Sequence, residues 1–393
     1  MYTKLKGALA NLALLAMSLV VCFLALEFVV FRYLLKPDDV LSNVSAGGVV
    51  RYKPNTRAYF RHPDGRTTLT TINAQGWNSL LSSYDRKKVS GRTRIAVVGD
   101  SYVHGAFVDV HDGFPVVLQS ELRRGGHDVE VFRFGMDGAP LSQYLNMVRN
   151  EVVHYQPDII LIPFIHNDFD ESYRFLKTRY SSSFMKIAID DAGEVKEIPA
   201  VDFKRGLADL LRRSATFRYL YYETNLYLKI KGIVSRVFWG GDENYSPEHI
   251  QSAVDIRKIV DHKRNKQVAL YVISELKKLS AQHGFKLVFI MDGVREAIYD
   301  QRDVGEYEVS KLNTIARKVT AELNVPFVDL QQTFARHYKK HQEYFEYTYD
   351  WHWNKLGNLV VGRAAAELIA RDGRLMGSNQ VGQKMPSDGD IHE

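Results

Sequence analysis

Residues 94–105 read RIAVVGDSYVHG, an apolar run, 95–98, that breaks without a gap into Gly99-Asp100-Ser101. A β-branched run ending in glycine and a polar pair has the form of a strand leaving a sheet at its carboxyl end, where ligands sit in open α/β folds. A serine hydroxyl becomes a nucleophile only when an adjacent base takes its proton. His352, in the stretch YTYDWHWNKLGN at 347–358, is the candidate base, and Asp350, two positions earlier, is the carboxylate that would orient it. The tetrahedral intermediate of acyl transfer needs hydrogen-bond donors aimed at its oxyanion. Candidates are the backbone N–H groups of Ser101 and Gly138 and the side-chain amide of Asn167; the last two follow the apolar runs at 129–134 and 159–165. His104 and His111 also follow the serine, but neither has a carboxylate set ahead of a helix in the same way. His166, beside Asn167, is a candidate for lining the substrate site. Trp351 and Trp353 alternate with the acid and base, which suits stacking on a sugar ring, with packing against the last helix as the competing reading. No His/Glu pair has zinc spacing, and neither metal nor cofactor is expected.

Residues so far apart meet only if several strand ends converge on one rim. From residue 94 onward, apolar runs at 95–98, 129–134, 159–165, 287–291 and 326–330 alternate with helical stretches such as 114–124, 141–154 and 268–283. That alternation predicts a parallel sheet sandwiched by helices. Asn354 is a natural N-cap for the helix after His352. The interval 169–247 has no strong buried strand and reads as a helical insertion. Within it, residues 204–236 carry eight Lys/Arg against two Asp/Glu, which fits a packed insertion, a lid, or a face on anionic lipid or polysaccharide.

With 45% apolar and 25% charged residues over 393 positions, the chain is ordinary globular material. Its net charge of +6 comes from 52 basic residues mixed with 46 acidic ones, and nucleic acid is not an expected partner. The single cysteine, Cys22, excludes an intramolecular disulfide. It lies in a 25-residue apolar run, 7–31, whose only charge is Glu27. At about 1.5 Å per residue such a helix crosses a ~30 Å hydrocarbon core, so the run reads as a membrane anchor, with Glu27 snorkelling to the interface or meeting Arg32. Flanking charges are balanced, and the expectation of a single-pass protein of the inner (cytoplasmic) membrane with its large domain exported rests on the domain following one N-terminal helix.

Four blocks together resemble the SGNH/GDSL hydrolase (esterase) superfamily: GDS at 99–101, the glycine block at 135–138, ND at 167–168, and DWHWN at 350–354. The resemblance covers roughly 93–371. It is similar in particular to membrane-anchored members of the bacterial cell-envelope and exopolysaccharide type, which share an INxxGW-like stretch, here at 72–77. It implies a flavodoxin-like three-layer α/β/α fold and acyl-ester hydrolysis or acyl transfer without a metal. Three departures stand out: Arg133 where the glycine block usually opens with asparagine, Ile165 and His166 where a glycine usually precedes Asn-Asp, and an acid and base two rather than three apart. An α/β-hydrolase nucleophile elbow is excluded because Val103 replaces its second glycine.

The expected organisation is a cytoplasmic flank and anchor at 1–35, a stalk and edge hairpin at 36–92, a catalytic domain at 93–372 with the insertion at about 169–247, and a disordered tail at 373–393. The expected activity is a serine esterase acting on O-acyl groups, O-acetyl above all, of a carbohydrate. The alternatives are a polysaccharide O-acetyltransferase with the same triad, which would need a multi-spanning acyl-donor partner, and a non-catalytic polysaccharide-binding scaffold.

Overall fold

The computed structural model describes residues 2–174, 183–190, 192–204, 206–224, 261–373 and 375–376. The apolar runs form a five-stranded parallel sheet of β1 (Thr93–Gly99), β2 (Val129–Gly135), β3 (Ile159–Phe164), β4 (Lys286–Met291) and β5 (Phe327–Asp329), in the order β5-β4-β3-β1-β2. This is the flavodoxin-like doubly wound order, as expected. A parallel sheet is covered on both faces, and so every residue of β3 and all of β1 beyond Thr93 is buried. Helices α1 (Phe114–Arg124) and α6 (Lys355–Arg371) pack together over Ile95, Val97, Val131 and Leu161. Helices α2 (Leu141–Asn150), α3 (His262–His283) and α4 (Ser310–Glu322) pack against one another on the opposite face. Helix α5 (Gln331–His341) adds Phe334 to the α1 side of the core.

Two compact units divide the chain, one holding 43–57, 62–203 and 251–393, the other 1–42, 58–61 and 204–250. In the first, Asn43–Ala46 pairs antiparallel with Val49–Tyr52, and Tyr52, Trp77 and Tyr84 are buried. Most of 36–92, the expected stalk and edge hairpin, falls in the sheet-bearing unit. Tyr84 stacks on Phe132 of β2 at 4.3 Å. The interval read as lacking strands holds a short hairpin, Lys186–Ile189 with Val195–Ile198. Its four-residue strands, with lysine among the buried positions, carry too little apolar alternation to announce themselves.

In the second unit the helix Tyr2–Ala25 continues as a π-helix, Leu26–Leu34. The span Lys6–Leu34 has a mean hydropathy of 2.7 and is long and apolar enough to cross a membrane. Glu27 meets a helix start and not Arg32. Its carboxylate accepts hydrogen bonds from Ser214 Oγ (2.7 Å) and from the N–H groups of Ala215 and Thr216 (2.9 Å each), at the start of the helix Ala215–Arg218. A helix start presents unpaired N–H donors that favour a negative charge, which is what the apolar surroundings of Glu27 withhold. The end of the basic stretch, from residue 225 on, and the tail from 377 lie outside the described residues.

Candidate active site

Ser101 opens a one-turn helix, Ser101–His104, directly after β1. Its Oγ lies 2.7 Å from His352 Nε2, and His352 Nδ1 lies 2.5 Å from Asp350 Oδ1, which also accepts the His352 N–H at 2.8 Å. The hydroxyl, imidazole and carboxylate thus form one hydrogen-bonded series, with Asp350 buried. Burial alone would lower the His352 pKa. The hydrogen bond and charge of Asp350, helped by Asp100 and Asp137, outweigh it and hold the imidazole above its ordinary value.

The turn that carries Ser101 is held at both ends. Asp100 caps it by accepting the Tyr102 N–H at 2.9 Å, and its other oxygen lies 3.4 Å from Ser101 Oγ. Burial lifts the Asp100 carboxyl to about 7. At the far end Arg133, buried in β2, donates to the Val103 and His104 carbonyls at 2.5 Å each, so a cation sits on the negative end of the turn. The departure at 133 is thus a clamp on the nucleophile turn. Gly135 lets β2 press against that turn, since a Cβ there would lie 2.1 Å from His104 N. Of the alternative bases, His104 is buried and bonded to Asp137, 33 positions further on, at 2.6 Å. It is His352 that meets the serine.

The short strand bearing the acid and base, Asp350–Trp353, is tied to the sheet's strand ends by a network that no spacing in the sequence announced. Asp292, at the end of β4, accepts from Trp353 Nε1 (3.0 Å) and from Arg295 Nη2 (2.7 Å). Arg295 donates onward to the Trp351 carbonyl and, at 3.2 Å, to the Tyr102 hydroxyl. Trp353 is 1% exposed, edge-on to Tyr102 and Phe114, so it is a core residue and offers no face to a substrate. His166 is likewise buried, bonded to Asn313 Oδ1 at 2.9 Å, which corrects its reading as a pocket-lining side chain. Trp351 is 49% exposed.

Gly138 has a φ of +66°, and a Cβ there would meet open space. Among the described residues the N–H groups of Ser101 and Gly138 have no hydrogen-bond acceptor. Asn167 is the second residue of the helix His166–Glu171 after β3, and one of its two amide N–H groups donates to Glu171 at 3.1 Å. Asp168 fixes this helix start by accepting the Ile165 N–H and the Tyr144 hydroxyl, 2.9 Å each. Burial, with Asp100 nearby, pushes its carboxyl well above the usual range.

A doubly wound parallel sheet with serine, histidine and aspartate bonded in series beyond its strand ends defines a three-layer α/β/α protein of the SGNH/GDSL esterase class. The chain belongs to the GDSL-like lipase/acylhydrolase family, whose model matches residues 97–360, more than half of its length. Similar solved structures include the acetyl xylan esterase AlAXEase, 13% identical, with 70% of this chain and 97% of that one covered at a TM-score of 0.37. A catalytic mutant of the acetylxylan esterase Axe2 from Geobacillus stearothermophilus is 13% identical, with 76% and 100% covered and a TM-score of 0.39. The lipase/acylhydrolase from Enterococcus faecalis is 14% identical, with 70% and 95% covered and a TM-score of 0.36. No curated protein matches the chain in sequence.

Proposed function

We propose that the protein is a serine esterase that removes O-acyl groups, O-acetyl above all, from a carbohydrate. The observation that carries this reading is the 2.7 Å contact between Ser101 Oγ and His352 Nε2, with Asp350 on the other ring nitrogen. As Ser101 Oγ attacks the ester carbonyl carbon, its proton passes to His352 Nε2, and Asp350 steadies the imidazolium that forms. The N–H groups of Ser101 and Gly138 and the second amide N–H of Asn167 receive the oxyanion. Collapse returns the proton from His352 to the departing sugar oxygen and leaves an acyl-serine. Water, deprotonated by the same imidazole, then releases the acid and restores the serine.

The carbohydrate reading is supported by Trp351, whose exposed ring stands between the acid and the base in sequence and offers an apolar face to a sugar. The apolar span Lys6–Leu34 supports a single-pass anchor in the cytoplasmic membrane, with the catalytic domain at 93–372 exported. The test is to incubate the full chain in detergent with acetylated polysaccharide and with a small acetyl ester and to follow acetate. Release of acetate from both is expected. Acetate passed to a sugar hydroxyl without release would assign the transferase reading instead, and no turnover together with Ser101-independent polysaccharide binding would assign the scaffold.

A further inference from the structure

We propose that His104 and Asp137 are a positioning pair that sets the Gly138 N–H relative to Ser101 Oγ. The inference rests on the esterase reading above. The Gly138 N–H belongs to the peptide that joins Asp137 to Gly138, so whatever fixes Asp137 fixes the direction of that donor. Asp137 is held from two sides: its own N–H donates to the Tyr52 hydroxyl at 3.2 Å, and its Oδ1 accepts from His104 Nδ1 at 2.6 Å. His104 stands on the same helical turn as Ser101. The pair is therefore a strut from the nucleophile's own turn to the peptide carrying the candidate oxyanion donor.

The Met136–Ala139 turn is closed by the Ala139 N–H donating to the Met136 carbonyl at 3.0 Å, and within that turn the His104 contact is what grips the Asp137 side chain. A Cβ at Gly138 would meet open space, and its backbone lies in the left-handed region, so the residue has no packing to hold it. The His104 ring is committed through one nitrogen only. Its Nε2 is buried without a hydrogen-bond partner, and the ring lies against Tyr52 at 4.6 Å. Tyr52 reaches the same Nδ1 at 3.2 Å, so the N-terminal hairpin takes part in the strut. If packing were the only role, an apolar ring would fill this place without leaving a polar atom unpaired.

The test uses the full chain and a small acetyl ester. Asp137→Ala and His104→Phe are each expected to lower kcat by about 10- to 100-fold with KM within about twofold, the loss that a misplaced donor produces. Affinity for a boronic acid inhibitor, whose boronate oxygen occupies the oxyanion position, should fall in parallel with kcat/KM. Asp137→Asn, whose amide oxygen still accepts from His104, should recover most of the loss. The pair has no such role if Asp137→Ala keeps kcat within about twofold of the parent, if KM rises while kcat holds, or if Asn is no better than Ala in variants whose circular dichroism is unchanged. Labelling of Ser101 by a fluorophosphonate separates the two claims. A parent chain that is labelled and turns over while the variants match it sinks the strut alone, and a parent chain that is neither labelled nor active sinks the esterase reading and the strut together.

Discussion

The Tyr102 hydroxyl donates to the Trp351 carbonyl at 2.8 Å, joining the residue after Ser101 to the residue between Asp350 and His352. The Tyr102 ring also lies 4.8 Å from the His352 ring. Two segments almost 250 positions apart in sequence are thus tied at the point where the serine and imidazole must meet.

Tyr102→Phe keeps the ring and removes this bond. The hydroxyl also accepts from Arg295 at 3.2 Å, while Arg295 still donates to the Trp351 carbonyl, so the expected cost is that of two hydrogen bonds, about 1–3 kcal/mol in urea unfolding, with a several-fold fall in kcat. Loss of stability without any change in kcat would mean that the tie does not position the imidazole.

Arg295→Ala should be far more damaging. It leaves Asp292, buried at the end of β4, without its ion-pair partner and costs about 3–5 kcal/mol, as breaking a buried pair does. Denaturant unfolding monitored by tryptophan fluorescence measures it, since Trp353 bonds to the same carboxylate.

The pH dependence of kcat/KM follows from the His352 imidazole, which must be neutral to act as a base. Because Asp350 holds its pKa above the ordinary histidine value of about 6.5, activity should rise through an apparent pKa above that value and not at or below it. Asp100 titrates near 7 beside the same serine, so the profile reports macroscopic values of the linked groups. The sign for stability is the reverse of that for activity: a raised imidazole contributes stability fully present below about 6.5 and lost as pH rises through the folded value. Asp350→Asn leaves burial less opposed and should lower the apparent pKa while cutting kcat by up to about 10⁴-fold. An unchanged profile in that variant would remove Asp350 from the role.

The sheet and the four blocks were legible because each block is a polar or glycine residue placed directly after an apolar run, a local signal. Arg295 with Asp292, and His104 with Asp137, were not. Each is a pairing of single side chains with no periodicity to mark it, and the carboxylate that meets His104 is 33 positions away. Period-two alternation on a strand puts Trp351 and Trp353 on one face and so treats them alike. What separates them is Tyr102 and Phe114 closing over Trp353 alone, a tertiary fact. Glu27 announced its own cost in an apolar run, but its partners stand nearly 190 positions further on.

The central claim is that Ser101 is the acylated nucleophile, and the most direct measurement is ester turnover by Ser101→Ala beside the parent chain. Measurable acetate release by the parent, a loss of several orders of magnitude in kcat in the variant, and unchanged thermal unfolding are expected, because a serine at the strand end contributes little to packing. Ester hydrolysis that persists within about tenfold in Ser101→Ala would contradict it.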